Sequence, residues 1–117
     1  MITQILDDLI TSINGAQAAI FLDDDGEAIS QAGNAAMDIK LIGAWKEIQL
    51  DHIKDISGRL GLGGVQAVLY SLDQGTELVV PVSKDYCLLV FLSNYSNMQE
   101  AMAGVRTCME RLKKEIE

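Results

Sequence analysis

The sequence predicts one mixed α/β domain with the element order α-β-β-α-β-β-β-α, on three observations. Three segments repeat apolar residues at spacings of three and four, the period of a helix face. Five shorter runs are apolar and strand-like. The linkers within the first strand pair and among the last three strands are only hairpin length, so those strands should pair antiparallel. A length of 117 residues suits one hydrophobic core, and the whole chain, 1–117, reads as a single domain. With 49% apolar residues and one proline, the chain is too hydrophobic and too unbroken for disorder.

Ile2, Ile5, Leu6, Leu9, Ile10 and Ile13 share one face of a first helix, which Asn14-Gly15 stops. AQAAIFLD at 16–23 and EAISQA at 27–32 then form a hairpin around Asp24-Asp25-Gly26, where Gly26 supplies the positive φ of a tight turn. A longer helix is predicted from about Ala36 to Leu60, with Asn34 or Asp38 as its cap and Gly61 as its stop. Its residues Met37, Leu41, Trp45, Ile48, His52 and Ile56 fall in one stripe, flanked by Ile42, Ile53 and Leu60, with Ile39 and Leu50 farther round. That apolar arc covers roughly half the circumference, wider than the ~100° that packing on one surface needs. Such a helix requires two neighbours.

Three strand runs follow: VQAVLYSL at 65–72, TELVVPV at 76–82 and YCLLVFL at 86–92. Asp73-Gln74-Gly75 and Ser83-Lys84-Asp85 are their turns. Pro81 has no N–H for a ladder, which places it near a strand end or where no acceptor faces it. The 86–92 run, apolar on both faces, should be central. Ser96 and Gln99 form the expected capping box of the last helix. Met98, Ala101, Met102, Val105, Cys108, Met109, Leu112 and Ile116 mark its buried face. Glu100 early and Arg111, Lys113 and Lys114 late suit the helix dipole.

The net charge of -8 is uneven: residues 1–58 carry ten acids against three lysines, and residues 59–117 seven acids against six bases. Without a basic stripe, neither nucleic acid nor an anionic membrane is an expected partner. An acidic, amphipathic start is unlike a secretory signal, and no run approaches the ~18 apolar residues of a membrane span. Cys87 and Cys108 fall in core patterns and read as reduced thiols. A cytoplasmic location is therefore expected.

Four features invite a chemical reading. Asp23-Asp24-Asp25-Gly26 has the acids and glycine of a calcium loop, but aligned on Gly26 two required ligand positions are Phe21 and Ala32, so a solvated hairpin turn is expected. Gly61-Leu62-Gly63-Gly64 follows a helix and precedes a strand, the reverse of a phosphate-cradling loop, and reads as a helix stop. His52 lies beside Asp51 and three residues before Asp55, yet no nucleophile can be placed with them; a histidine in an apolar contact stripe is the simpler reading. Arg59, Arg106 and Arg111 could each act as an arginine finger, but surface arginines are usually solvation. No catalytic, cofactor-binding or metal-ligating residue is assigned, and no cofactor is expected.

AAIFLDDDGEAIS, with its apolar-Asp-x-x-Gly hairpin, and LVVPVSKDYCLLVFL, the last hairpin, resemble the Roadblock/LC7 family of dynein light chain-related domains. The likeness extends over the whole chain in order and length. It implies an α+β fold: a five-stranded antiparallel sheet with the two terminal helices on one face and the middle helix on the other. It also implies a homodimer formed through the middle helix and the third strand. Mapped here, those surfaces are Leu41, Trp45, Ile48, His52 and Ile56, and the edge run Val65, Gln66, Ala67, Val68, Leu69 and Tyr70. Prokaryotic members regulate small Ras-like GTPases, including by activating hydrolysis, so a non-enzymatic GTPase regulator or scaffold is the function implied. Profilin-like and longin-like domains share similar hairpins, and a sensor-like domain binding a small molecule or another protein is the alternative.

Overall fold

The computed structural model describes residues 1–33 and 39–117, apart from the side chains of residues 39–44 and 47. Its elements are α1 (Ile2–Ser12), β1 (Ala16–Asp23), β2 (Ala28–Gly33), α2 (Ile39–Arg59), β3 (Val68–Leu72), β4 (Gly75–Ser83), β5 (Tyr86–Leu92) and α3 (Met98–Ile116), in the predicted order. The segment holding Met37 and the two candidate caps, Asn34 and Asp38, lies outside the described residues. All strands pair antiparallel in one sheet, ordered β2-β1-β5-β4-β3. β5 is central, as its doubly apolar run demands.

Alternation along the strands sends side chains to opposite faces. Phe21, Leu88, Val90 and Val80 meet Leu6 and Leu9 of α1 and Ala101, Val105, Cys108 and Leu112 of α3. Ile20, Leu22, Leu89, Phe91 and Val79 form the other face, where α2 contributes Leu50. The terminal helices thus share one face and the middle helix covers the other. Among the described residues, Leu50 is the fully buried side chain of α2, while α1 supplies three and α3 four.

Most boundaries fall within a residue of expectation, and two differences have a tertiary cause. The third strand begins at Val68 and not Val65; its ladder runs from Val68↔Val79 to Leu72↔Gly75. Continued upstream, that register would set Gln66 opposite Pro81, which has no N–H to offer, and β4 shifts register between Pro81 and Ser83. Pro81 itself sits near the end of its strand, as expected. The cap of α3 is Asn97, whose side-chain oxygen accepts from the Glu100 N–H at 3.1 Å. Ser96 is used elsewhere: its hydroxyl donates to the Asn14 carbonyl at 2.9 Å, while the Glu100 carboxylate accepts the Asn14 N–H at 3.1 Å. The two side chains hold the chain where it leaves α1, a tertiary task that competes with the local box.

Cys87 and Cys108 are buried on opposite faces of the sheet, so no disulfide can join them. Burial pushes the Cys108 thiol from 9.0 up to about 11, with Arg111 opposing the shift. A thiol that folding keeps neutral contributes stability fully present below pH 9.0 and lost as pH rises toward about 11. The urea midpoint should therefore fall across that interval more steeply for the wild type than for Cys108→Ala; parallel profiles would refute the assignment.

Candidate interaction surface

A helix advances roughly 100° per residue, which places Trp45, Ile48, His52 and Ile56 in one sector on the side opposite Leu50. Accessibility agrees. Leu50 is 1% exposed, whereas Trp45, Ile48 and Ile56 are 57%, 52% and 54% exposed. His52, in the same sector, is exposed too, and the side chain of Leu41 lies outside the described residues. A helix lying on one surface usually turns its polar side to water. Here Lys46 and Gln49 are half-buried, while Trp45, Ile48 and Ile56 point outward.

Two more large apolar side chains are exposed just past the helix end. Leu60 and Leu62 are 67% and 73% exposed. Gly61 takes φ 69°, its N–H donates to the Gly58 carbonyl, and the Leu62 N–H donates to the Ser57 carbonyl at 3.0 Å, closing the helix in a Schellman turn. The Ser57 hydroxyl donates to the Gly63 carbonyl at 2.7 Å, fixing the loop that carries Leu62. The glycine run is thus the helix stop expected of it. Its role in presenting Leu62 had only one sequence signal, a leucine between turn-forming glycines.

The edge run is divided between environments. Val65, Val68 and Tyr70 pack toward the α2 side of the sheet and Ala67 toward the other. Gln66 and Leu69 are exposed. Among the described residues no strand lies on the outer side of β3, so a row of its backbone N–H and C=O groups faces away from the sheet. Tyr70 is already engaged: the Lys46 ammonium sits 3.9 Å from the centre of its ring and 2.9 Å from a carboxylate oxygen of Glu77. Sequence reasoning did not bring these three together, because a lysine on α2, a tyrosine on β3 and a glutamate on β4 share no local pattern.

Several of the other candidates have partners within the fold, and the Asp23, Asp24 and Asp25 carboxylates lie within 4.8 Å of one another. The Asp23 carboxylate accepts the N–H groups of Asp25 and Glu27, each at 3.0 Å, and Gly26 takes φ 79°, so the acidic run is a hairpin turn. Asp55 is held by Arg59 at 3.1 Å instead of orienting His52. Arg111 binds Asp8 at 2.7 Å across a groove of about 360 Å³ between α1 and α3, floored by Ile5, Leu9 and Cys108. That bond and Gln4 hold the Asp8 carboxyl below its ordinary value. No helix among the described residues is long and apolar enough to cross a membrane.

No protein-family model matches the sequence, and no curated protein does. Solved structures do match. The chain is similar to MglB of Myxococcus xanthus, with a TM-score of 0.92 at 16% identity over 98% of this chain and 94% of that one. It is similar to a Roadblock/LC7 domain of Streptomyces avermitilis, with a TM-score of 0.90 at 16% identity over 97% and 96%. Profilin IA of Acanthamoeba castellanii is more distant, with a TM-score of 0.70 at 10% identity over 100% of both chains. The fold is that of Roadblock/LC7 domains.

Proposed function

We propose that this chain is a non-enzymatic, cytoplasmic homodimeric module that binds a small Ras-like GTPase and regulates or scaffolds it, with activation of GTP hydrolysis as one form of that regulation. The observation that carries the self-pairing is the outward apolar stripe of α2, in which Trp45, Ile48 and Ile56 are each more than half exposed on the side opposite Leu50. Contiguous exposed apolar surface of this kind marks interaction sites in soluble domains. A second copy supplies an identical stripe and an identical open β3 edge, so a two-fold arrangement can satisfy both at once. The GTPase part of the reading draws on the likeness to Roadblock/LC7 domains, at the level of hairpin motifs in the sequence and of the fold.

Mass measurement during size-exclusion chromatography should give a dimer at low micromolar concentration; a monomer throughout would end the self-pairing reading. For the partner, affinity capture from source cells should recover a small GTPase. Titrating the purified chain into that GTPase loaded with GDP or a GTP analogue should then show a preference for one nucleotide state, and turnover assays should show whether hydrolysis changes. Absence of binding in both states would overturn the GTPase assignment and leave the pairing result standing.

A further inference from the structure

The sheet-facing side of α2 contains an ion pair that self-pairing does not use directly. Lys46 and Glu77 meet at 2.9 Å with each side chain only 15% exposed. Tyr70, whose ring lies under the same ammonium, is the direct cross-strand partner of Glu77 in the β3–β4 ladder. One lysine of α2 therefore rests on a residue pair that spans the edge strand β3 and its neighbour β4.

We infer that Lys46 is a positioning residue, which through Glu77 and Tyr70 holds α2 and the edge strand β3 in one fixed relation so that both halves of the pairing surface meet a second copy together. Among the described residues, both elements have few other anchors. Leu50 is the sole fully buried side chain of α2 among the described residues, and β3 joins the sheet through a five-residue ladder to β4. Removing two charges from water offsets most of their mutual attraction, so a half-buried pair adds little net stability. It does fix geometry, because any displacement strands a charge in a poorly solvated place. Glu77 sharpens this: its paired oxygen is buried and accepts no well-angled hydrogen bond among the described residues, leaving the ammonium as its compensation. The aromatic ring adds direction, since a cation is attracted to its face. Trp45 is the adjoining residue, so a shift of the Lys46 backbone also moves the outward stripe.

The purpose assigned to this clamp rests on the self-pairing reading, whereas its existence does not. The test compares the wild type with Lys46→Met, Lys46→Arg and the double variant Lys46→Met/Glu77→Met, which removes both charges and avoids a stranded glutamate should the single change prevent folding. Amide exchange in residues 48–58 and 68–72 is measured at a dilution where the protein is monomeric, and dissociation is measured by sedimentation. The double variant should exchange only about threefold faster in both segments, as a pair of small net stability requires, and associate roughly tenfold more weakly, while Lys46→Arg stays near the wild type in both readouts. Faster exchange in α2 alone, or in neither segment, would overturn the clamp. Loosening of both segments with unchanged association would overturn its positioning role. A wild type that never associates would defeat the self-pairing reading, and the exchange measurement would still decide the clamp.

Discussion

Trp45→Asp combined with Ile48→Asp should convert the protein to a monomer at concentrations where the wild type is paired, weakening association on the order of a hundredfold or more. The magnitude follows from symmetry. In a two-fold interface each substitution occurs twice, so four carboxylates enter one apolar seam. Each must lose solvent without gaining a partner, and across the axis they face like charges. The fold should be spared, because both side chains are more than half exposed and make no part of either core. Far-ultraviolet circular dichroism should overlay that of the wild type, and light scattering should report a single chain. Melting temperatures must be compared at high dilution, since pairing itself stabilises the wild type by mass action. A dimer that survives both charges would place self-association on another surface.

Elements whose cause is local were legible in the sequence. The bounds of 16–23 and 86–92 match β1 and β5, because a short apolar run between turn residues has one satisfactory conformation in a sheet. The Asp24-Asp25-Gly26 turn was equally plain, since a positive φ singles out its glycine. Tertiary competition decided what was missed. Ser96 satisfies every local rule for an N-cap, but the peptide of Asn14, eighty-two positions earlier, uses its hydroxyl, and the cap passes to Asn97. Val65, Gln66 and Ala67 have strand character, yet the strand they would pair with has reached Pro81 and an irregular register. The interaction surface divides in the same way. Helical period revealed that α2 has too much apolar surface for one sheet, but it could not say which side the sheet would take. Leu50, placed farther round than the stripe and its flanks, is the residue buried, and Trp45, Ile48 and Ile56 of the stripe are exposed. Lys46 counted only as a charged residue until the fold placed Glu77 and Tyr70 beneath it.

Leu50→Ala should lower the free energy of unfolding by about 2–5 kcal/mol, a large share of the stability of a domain this size. Leu50 is 1% exposed and is α2's contribution to the core that Ile20, Leu22, Val79, Leu89 and Phe91 form on that face. Truncation removes the transfer energy of the side chain and leaves a cavity that the rigid sheet below can close only in part. The position of the expected value in that range depends on whether α2 can settle inward. Lys46 opposes such settling, because its ammonium is already fixed 3.9 Å from the Tyr70 ring centre. The measurement belongs in the Trp45→Asp/Ile48→Asp background, where unfolding is no longer linked to protomer concentration and urea titration reports the single chain. The two sets of substitutions lie on opposite sides of one helix and should therefore separate: the outward pair abolishes association and leaves stability intact, while the inward leucine costs stability in a chain that no longer associates. A Leu50→Ala change of less than about 1 kcal/mol would mean that α2 is not seated on the sheet through this residue, and the outward assignment of Trp45 and Ile48 would fall with it.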